Sequence, residues 1–438
     1  MKKKLSIQNI FCFSSLIFIL TCIFWYGGRF IYFYLENQEQ LKQNNKIFYS
    51  IVKDNNLNSE NFKKINKTYY FTGNTNNNYV NYSNLLWRIV KINEDNTILL
   101  VTNNVIGTIA YGDINTPYEE SNLINWLNNN ETGKLTKILN NKEKYLNITN
   151  TCIDTITNIE NITCNNIDNN HYIGLLSIED YLNTGGNNSF INTNKYAYLS
   201  NKNNENKIWY ITDKGKLNTT DGDNILGIKA TITLSSTTEL ISGNGTIEEP
   251  YKFEDTNQLI GSYVKLDNDL WRIYEEKDNI IKLVLESSLM TNNEPVKHSY
   301  SNNTYYYDDS IKNSLAYYLN NDYYNSLSYK ELIIKNNYPN GMYGKEDNYK
   351  YENIINKTIE TKITIPSIDD IIFNDNINNY FTSTGKTENQ EAIYIKELDG
   401  TASTKLTRTT WNIVPCISIN KEKLISGTGE YNNPYRTE

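Results

Sequence analysis

The chain begins with one long apolar stretch and continues with shorter segments in which hydrophobic and polar residues alternate. Residues 5–28 carry no charge, and at about 1.5 Å per residue a helix of this length can cross a hydrocarbon core of roughly 30 Å. Residues 2–4 are lysines, whereas Arg29 is the only basic residue close behind the stretch. The positive-inside bias therefore predicts a cytoplasmic N-terminus, contact with the lipid bilayer through residues 5–28, and residues 30–438 outside the cell.

Two other interpretations of the apolar stretch stay open. A cleaved signal peptide would end in a small-x-small site, but aromatic residues occupy positions 24–26. A lipoprotein site at Cys22 would need small residues where Leu and Thr stand at positions 20 and 21. An uncleaved anchor over residues 1–28 therefore fits best. Residues 29–67 follow it, and their polar, proline-free part from 36 to 53 is typical of a short juxtamembrane stalk.

Beyond residue 68 the periodicity changes from strand-like to helix-like. Alternation over residues 79–102 predicts two strands around a polar turn at 93–96, and residues 270–285 predict the same hairpin again. Helical spacing follows each hairpin. Ser121 is the expected cap of the first of these helices, and Asp309 or Ser310 that of the second.

In each half the pattern then predicts a strand, a second capped helix and several closing strands. The expected caps are Ser177 and Ser367, and the acidic residues that follow them, Asp180 and Asp370, are interpreted as partners of the helix dipole. The closing strands fall at residues 196–199, 208–211 and 228–234, and then at 393–395 and 413–419. This order of strands and helices predicts an α+β fold.

The outer part of the chain is a tandem duplication. The matched segments, first copy before second, are 79–89 with 263–273, 123–129 with 315–321, 177–180 with 367–370, and 242–251 with 426–435. Each copy spans about 180 residues, which is long enough to bury its own core. We therefore expect two homologous α+β domains, residues 68–250 and 251–438, each able to fold.

Each copy ends in a Ser-Gly-x-Gly stretch closed by Pro-Tyr. A phosphate loop, a calcium turn and a simple turn at the end of each repeat are the possible interpretations. A phosphate loop needs a following helix and usually a lysine, and Pro250 and Pro434 stand against it. The simple turn is the favoured interpretation.

Charge and composition argue against one class of partner and against a disordered outer part. The formal net charge is -8, and the lysines at positions 2–4 lie inside, so the exposed part is more acidic than the whole and nucleic acid is not an expected partner. With 36 tyrosines, the outer part should be globular rather than disordered.

Cys152 and Cys164 share one Asn- and Thr-rich loop and form a candidate disulfide outside the cell, although spacing alone does not prove it. Because His171 and His298 lack ligand-spaced partners, we expect no metal or other cofactor.

Two Trp-Arg pairs are the first candidates for a ligand platform. Trp87-Arg88 and Trp271-Arg272, joined by Trp209 in the first copy, offer stacking rings and forked hydrogen bonds. The alternative, which we favour, places the tryptophans in the core with the arginines covering them. No nucleophile–base pair, metal cluster or nucleotide loop is convincing, so an enzyme is not expected.

Several short motifs resemble a known family. They are Trp87-Arg88-Ile89, Leu-x-x-Trp-Leu-Asn-Asn from residue 123, Leu175-Leu176-Ser177, and residues 413–417 with the SGTGEYNNPY stretch that follows. They resemble an uncharacterised domain of exported bacterial proteins, many of which carry an N-terminal membrane anchor. The order of elements in that family is in turn similar to the C-type-lectin-like fold of the formylglycine-generating-enzyme group. The resemblance covers about residues 68–438 and implies a fold and a surface location, not an activity. The copies also differ, since Ile393 stands in the second where the first has Trp209.

Together these features predict a single-pass, membrane-anchored bacterial surface protein. Its duplicated, non-catalytic ectodomain is expected to serve binding or adhesion, with an extracellular protein or a glycan as partner. The alternative is a structural or assembly component of the cell envelope.

Overall fold

The computed structural model describes residues 21–37, 39, 46–56 and 61–437, apart from 161, 255–257, 303, 375, 376 and 378. The protein is mostly β-sheet with short helices, an α+β fold. Most of the predicted membrane segment, residues 5–20, lies outside the described residues. Within the described part, no helix combines the length and the apolar character needed to cross a bilayer.

Two helices, residues 21–37 and Phe48–Asn56, precede the first strand, and the later helices are short segments between strands. The α-helices are residues 21–37, Phe48–Asn56, Asn122–Asn128, Lys142–Tyr145, Ile178–Asn183, Leu315–Tyr318, Tyr324–Ser326 and Glu352–Ile355, with a π-helix at Leu319–Tyr323. The 3₁₀ turns are Tyr118–Glu120, Gly186–Asn188, Lys330–Leu332, Lys345–Asp347 and Lys421–Lys423.

Each copy contains a main sheet and a second sheet. The main sheet of the first copy comprises Phe62–Ile65, Thr68–Phe71, Tyr79–Tyr82, Leu85–Ile92, Ile98–Thr102, Leu146–Asn147, Ile173–Leu175, Ala230–Leu234 and Tyr251–Lys252. That of the second copy comprises Tyr263–Leu266, Asp269–Lys277, Ile280–Leu285, Ile363–Thr364, Cys416–Asn420 and Tyr435–Arg436.

The second sheets contain several of the predicted closing strands. In the first copy the strands are Gly107–Ala110, Ala197–Lys202, Ile208–Ile211, Leu217–Thr220 and Ile225–Ile228. In the second copy they are Lys297–Ser299, Met342–Tyr343, Tyr380–Lys386, Asn389–Lys396, Ala402–Leu406 and Thr410–Asn412. Two-stranded ribbons complete the set: Thr151–Cys152 with Ile167–Asp168, Met290–Thr291 with Glu294–Pro295, and Asn336–Pro339 with Thr358–Thr361.

The duplicated motifs occupy equivalent strands in equivalent register. In both copies the valine opposite the tryptophan also pairs in parallel with the tyrosine of the closing Pro-Tyr: Val80 with Trp87 and Tyr251, and Val264 with Trp271 and Tyr435. The short strand that follows each closing turn therefore lies at the edge of its own main sheet.

The helix caps follow the prediction in the first copy but not in the second. Ser121 and Ser177 each accept a backbone N–H three residues on. In the second copy the cap is Ser314, not Asp309 or Ser310, because the Asp308 carboxylate binds the N–H of Ser310 at 2.8 Å and holds that segment in a turn.

In the described stretch 367–374 no helix begins after Ser367, which corrects a second expectation. Its hydroxyl donates to Asp369 Oδ1 at 2.5 Å, and its N–H donates to Asp370 Oδ2 at 2.9 Å. Both carboxylates also lie within 3.0 Å of Lys134 Nζ from the first copy. These carboxylates therefore serve an ion cluster rather than a helix dipole.

The folded unit begins N-terminal to residue 68, within the segment interpreted as a stalk. Phe48 and Val52 are buried, and the Phe48 ring lies 5.2 Å from that of Tyr251. Strand Phe62–Ile65 pairs with Thr68–Phe71. This part of the stalk packs on the first copy.

The two copies pack against each other and share apolar core. The core cluster of the first copy takes in Tyr343, Tyr351, Ile354, Ile368, Ile371 and Tyr394 of the second. Trp126 Nε1 donates to Asp369 O at 3.1 Å, and Tyr343 Oη accepts from Ala110 N at 2.8 Å. This packing brings the closing turns of both copies to one cleft.

Candidate functional site

The paired tryptophans are core residues. Trp87 and Trp271 are both 0 % exposed, and Trp87 Nε1 donates to Tyr82 O at 3.1 Å. Neither ring presents a surface to a ligand, because each belongs to a buried apolar cluster. The tryptophans therefore fill the core, as in the alternative that we favoured over a ligand platform.

Arg88 is also withdrawn from solvent. Its guanidinium lies 3.9 Å from the centre of the Tyr79 ring and donates to Asn78 Oδ1 and Thr75 O, both at 2.6 Å. Burial lowers the pKa of Arg88 to about 10. All these contacts are internal, so Arg88 offers nothing to a ligand.

Arg272 occupies the equivalent place but faces a cavity. Its guanidinium lies 3.7 Å from the centre of the Tyr263 ring and is bound by Glu286 through two hydrogen bonds of 3.1 and 2.9 Å. Arg272 and Tyr263 line the large cleft described below. Of the proposed platform residues, only Arg272 lies there.

Trp209 lies apart from that cleft. It stands in strand Ile208–Ile211 of the second sheet of the first copy, is partly buried, and donates from Nε1 to Ile156 O at 3.1 Å. The structure therefore does not bring Trp209 together with Trp271 and Arg272 into one platform.

The sulfur atoms of Cys152 and Cys164 are bonded to each other, with the Cα atoms 5.8 Å apart. Asp154 lies beside them but accepts hydrogen bonds from the backbone N–H groups of Asn165 and Asn166. Because both sulfurs are used in the disulfide, this group does not form a thiolate metal site.

Cys416 lies in the core. It is fully buried, and burial raises the pKa of its thiol.

A cleft of about 880 Å³ lies at the junction of the two copies. We call it the junction cleft. Its walls come from the first closing turn (residues 241–252), the second closing turn (residues 425–436) and the connecting residues 254, 258, 261 and 262. Asn84 Nδ2 donates to Gln258 O at 3.0 Å and to Ile260 O at 2.9 Å. These bonds attach the connection to the first hairpin, so the cleft has a defined floor.

Glycine fixes the shape of both turns. Gly243 and Gly427 have φ of 96° and 92°, a region that L side chains rarely adopt. A Cβ at either position would also clash with the carbonyl oxygen of Pro250 or Pro434. The Ser-Gly-x-Gly stretches are therefore tight turns packed on their own Pro-Tyr strands.

The lining of the cleft is acidic. It contains four carboxylates, Glu248, Glu249, Glu254 and Glu430, and two cations, Lys252 and Arg272. Arg272 is already paired with Glu286, which lies outside the lining. Among the described residues, none of the four lining carboxylates forms an ion pair. The cleft therefore carries excess negative charge.

Glu254 lies at the floor of the cleft and is 7 % exposed. Its Oε1 accepts the backbone N–H of Ser83 at 2.6 Å. The Asn140 side chain approaches the carboxylate, but within the described part of the chain no donor has hydrogen-bonding geometry to Oε2. Burial outweighs these favourable contacts and raises the pKa of Glu254 to about 7.

Each turn exposes large apolar side chains at the same two positions. In the first turn these are Ile241 and Ile247, with exposed fractions of 42 % and 54 %; in the second they are Ile425 and Tyr431, with 65 % and 70 %. Ile241 and Tyr431 line the cleft. Sequence reasoning interpreted these stretches only as turns and missed the cleft, although the matching apolar positions were a readable signal.

Comparison with protein-family models, with curated proteins and with solved structures finds no match to this chain.

Proposed function

We propose that the chain is a single-pass, membrane-anchored bacterial surface protein whose duplicated, non-catalytic ectodomain binds a partner in the junction cleft. The lipid bilayer is the partner of residues 5–28, and residues 30–438 lie outside the cell. The partner of the cleft is an extracellular protein or a glycan. One observation carries this proposal: both copies contribute walls to a single open cleft of about 880 Å³, a size typical of ligand sites.

A binding role accounts for the cleft better than a purely structural one. Its lining combines excess carboxylates with an exposed tyrosine, Tyr431. A scaffold surface needs neither an open cleft nor exposed apolar side chains around it. Envelope assembly remains the second candidate and predicts that substitutions in the cleft have no effect on binding.

Protease added to intact cells tests the location. Residues 30–438 should be digested while the N-terminus stays protected, and the chain should pellet with membranes. Protection of the outer part would refute the topology. A mature N-terminus beyond Tyr26 would show that the anchor is cleaved.

Arrays of glycans and extracellular proteins, probed with the full-length protein in detergent micelles, test the binding. Tyr431→Ala should reduce binding to any ligand found by about tenfold or more, because this exposed ring lines the cleft, where it packs edge-on against Tyr263 with 5.3 Å between the ring centres. Met290→Ala removes an exposed apolar side chain, 46 % exposed against 70 % for Tyr431, from a hairpin that does not line the cleft, and is the control. Equal binding by both variants would refute the assignment to the cleft.

A further inference from the structure

We infer that the helix of residues 21–37 contacts the lipid bilayer as far as Leu35, and that Arg29 binds the phosphate of an outer-leaflet phospholipid. This inference rests on the proposed function and moves the outer limit of the bilayer contact beyond residue 28. It follows from the exposure of the helix, from the distribution of its apolar side chains around the axis, and from the one cation among them.

The large apolar side chains of this helix are exposed. Ten of them have exposed fractions between 58 % and 80 %: Ile23, Phe24, Trp25, Tyr26, Phe30, Ile31, Tyr32, Phe33, Tyr34 and Leu35. None of them belongs to an apolar cluster of the part of the chain that the structure describes. A contiguous apolar surface of this kind marks a contact with a membrane or with another protein.

The distribution of these side chains favours lipid over a protein groove. Residues 30–35 are six consecutive helical residues, all with large apolar or aromatic side chains. At about 100° per residue they point to every side of the helix. A helix that docks in a protein groove needs only one apolar stripe, at intervals of three and four residues. Lipid surrounds a helix on all sides, so the bilayer covers the surface that a groove would leave in water.

The sequence places this surface at the outer boundary of the bilayer. Residues 5–28 carry no charge, and a helix of that length rises about 36 Å, which is enough for a hydrocarbon core of roughly 30 Å. Residues 30–35 add about 9 Å, whereas the headgroup layer of one leaflet is roughly 5 to 8 Å thick. A tilted helix therefore keeps this segment within the headgroup layer.

Four of the exposed rings suit this depth. Tyrosine and tryptophan are enriched where hydrocarbon meets water, because each joins an apolar ring to a polar O–H or N–H group. Trp25, Tyr26, Tyr32 and Tyr34 have exposed fractions between 58 % and 69 %. The helix therefore presents amphipathic rings on both sides of Arg29.

Arg29 supplies the charge for a phosphate. Its guanidinium carbon lies 4.8 Å from the centre of the Trp25 ring, one turn earlier, and its side chain is exposed. A guanidinium binds phosphate through paired N–H donors, and stacking on tryptophan engages its face rather than those donors. The first acidic residue of the chain is Glu36, so no carboxylate within the lipid-covered segment competes for Arg29.

Cysteine labelling of the full-length protein in vesicles of phosphatidylcholine and phosphatidylglycerol tests the contact. Ile31→Cys and Ile425→Cys are matched, because the isoleucines are 59 % and 65 % exposed and the proposed topology puts both on the outer side. With Cys12→Ser and Cys22→Ser in the background, a membrane-impermeant maleimide should label Ile31→Cys at least about tenfold more slowly, because lipid shields that position alone. Both should label equally after unfolding in SDS. Equal rates in the vesicles would overturn the inference.

Dilution in lipid separates the bilayer from a second copy of the chain. Lowering the amount of protein per vesicle should leave the protection of Ile31→Cys unchanged, because lipid covers the helix at every dilution. Protection that disappears on dilution would show that another copy covers the helix and would refute the lipid contact.

Arg29→Gln tests the phosphate contact. It should raise the labelling rate of Ile31→Cys by about two- to fivefold, because the helix loses its attraction to the headgroups. Lys46→Gln removes an exposed cation beyond this helix, and as the matched control it should leave the rate unchanged. An unchanged rate for Arg29→Gln would refute the role of Arg29.

Extraction with sodium carbonate distinguishes the failure of this inference from the failure of the anchor. If Ile31→Cys labels freely while the protein stays with the vesicles, the inference fails and the proposed anchor stands. Release of the protein from the vesicles would refute the anchor itself.

Discussion

Glu254 gives the sharpest test of the energetics of the cleft. Burial raises its pKa from 4.5 to about 7, so the folded protein binds this proton more tightly than the unfolded chain does. The stability that this group contributes is therefore full below about pH 4.5 and is lost as the pH rises towards about 7. Glu254→Gln removes the titration while keeping the size and the acceptor for Ser83.

The magnitude follows from the shift. A change of this size corresponds to about 3 kcal/mol for a group fully shut off from water. Because Glu254 lies at the wall of an open cleft, solvent screening reduces the effect, and we expect about 1–2 kcal/mol. The variant should melt at nearly the same temperature as the wild-type protein at pH 5 and about 2 to 6 °C higher at pH 8.

Thermal unfolding followed by tryptophan fluorescence at pH 5, 6, 7 and 8 provides the measurement. All other titrating groups are common to both proteins, so the difference between their melting temperatures isolates Glu254. Glu294→Gln, exposed in solvent, should show no such pH-dependent difference. A difference for Glu254→Gln that is constant across the pH range, or that has the opposite sign, would refute the reasoning.

Three further predictions concern the core and the cross-links. Peptide mapping without reductant should recover Cys152 joined to Cys164, and reduction should cost roughly 3 kcal/mol by the chain-entropy model; free, alkylatable thiols at both positions would contradict the bond. Trp87→Ala and Trp271→Ala should each cost roughly 3–5 kcal/mol in urea unfolding because both rings are 0 % exposed, and an unchanged midpoint would contradict the core assignment. Lys134→Met should cost about 3–5 kcal/mol because it leaves two buried carboxylates without their cation, and unfolding that matches the wild-type protein would rule out a structural ion cluster.

The sequence predicted the features that depend only on neighbouring residues, such as helix caps. Ser121 and Ser177 cap helices because a cap needs only the N–H groups of the next turn. The same pattern fails at Ser367, where the carboxylates that follow are bound by Lys134, 236 residues away from Asp370. No periodicity within one copy can report a contact made with the other, and for the same reason the shared apolar core was not foreseen.

The cleft was missed because the favoured interpretation of the Ser-Gly-x-Gly stretches, a simple turn, accounts for only part of their sequence. The glycines and prolines of the Ser-Gly-x-Gly stretches explain the turn completely, but they do not explain why both turns carry a large apolar residue two positions after the second glycine. Ile247 and Tyr431 occupy that position and are both exposed. A turn requires no such residue, so the match indicates a second role.

The two turns have the same backbone design but different charges, and this difference has a consequence for stoichiometry. Glu248 and Glu249 of the first turn align with Asn432 and Asn433 of the second, whereas Glu430 aligns with Thr246. The two walls of the junction cleft are therefore not interchangeable, although their sequences and glycine conformations match. Because both turns contribute to the same cleft, the proposed function predicts one asymmetric site per chain instead of two equivalent ones. Titration with a ligand found on the arrays should therefore give one ligand bound per protein molecule; two equivalent sites would show that each turn binds on its own.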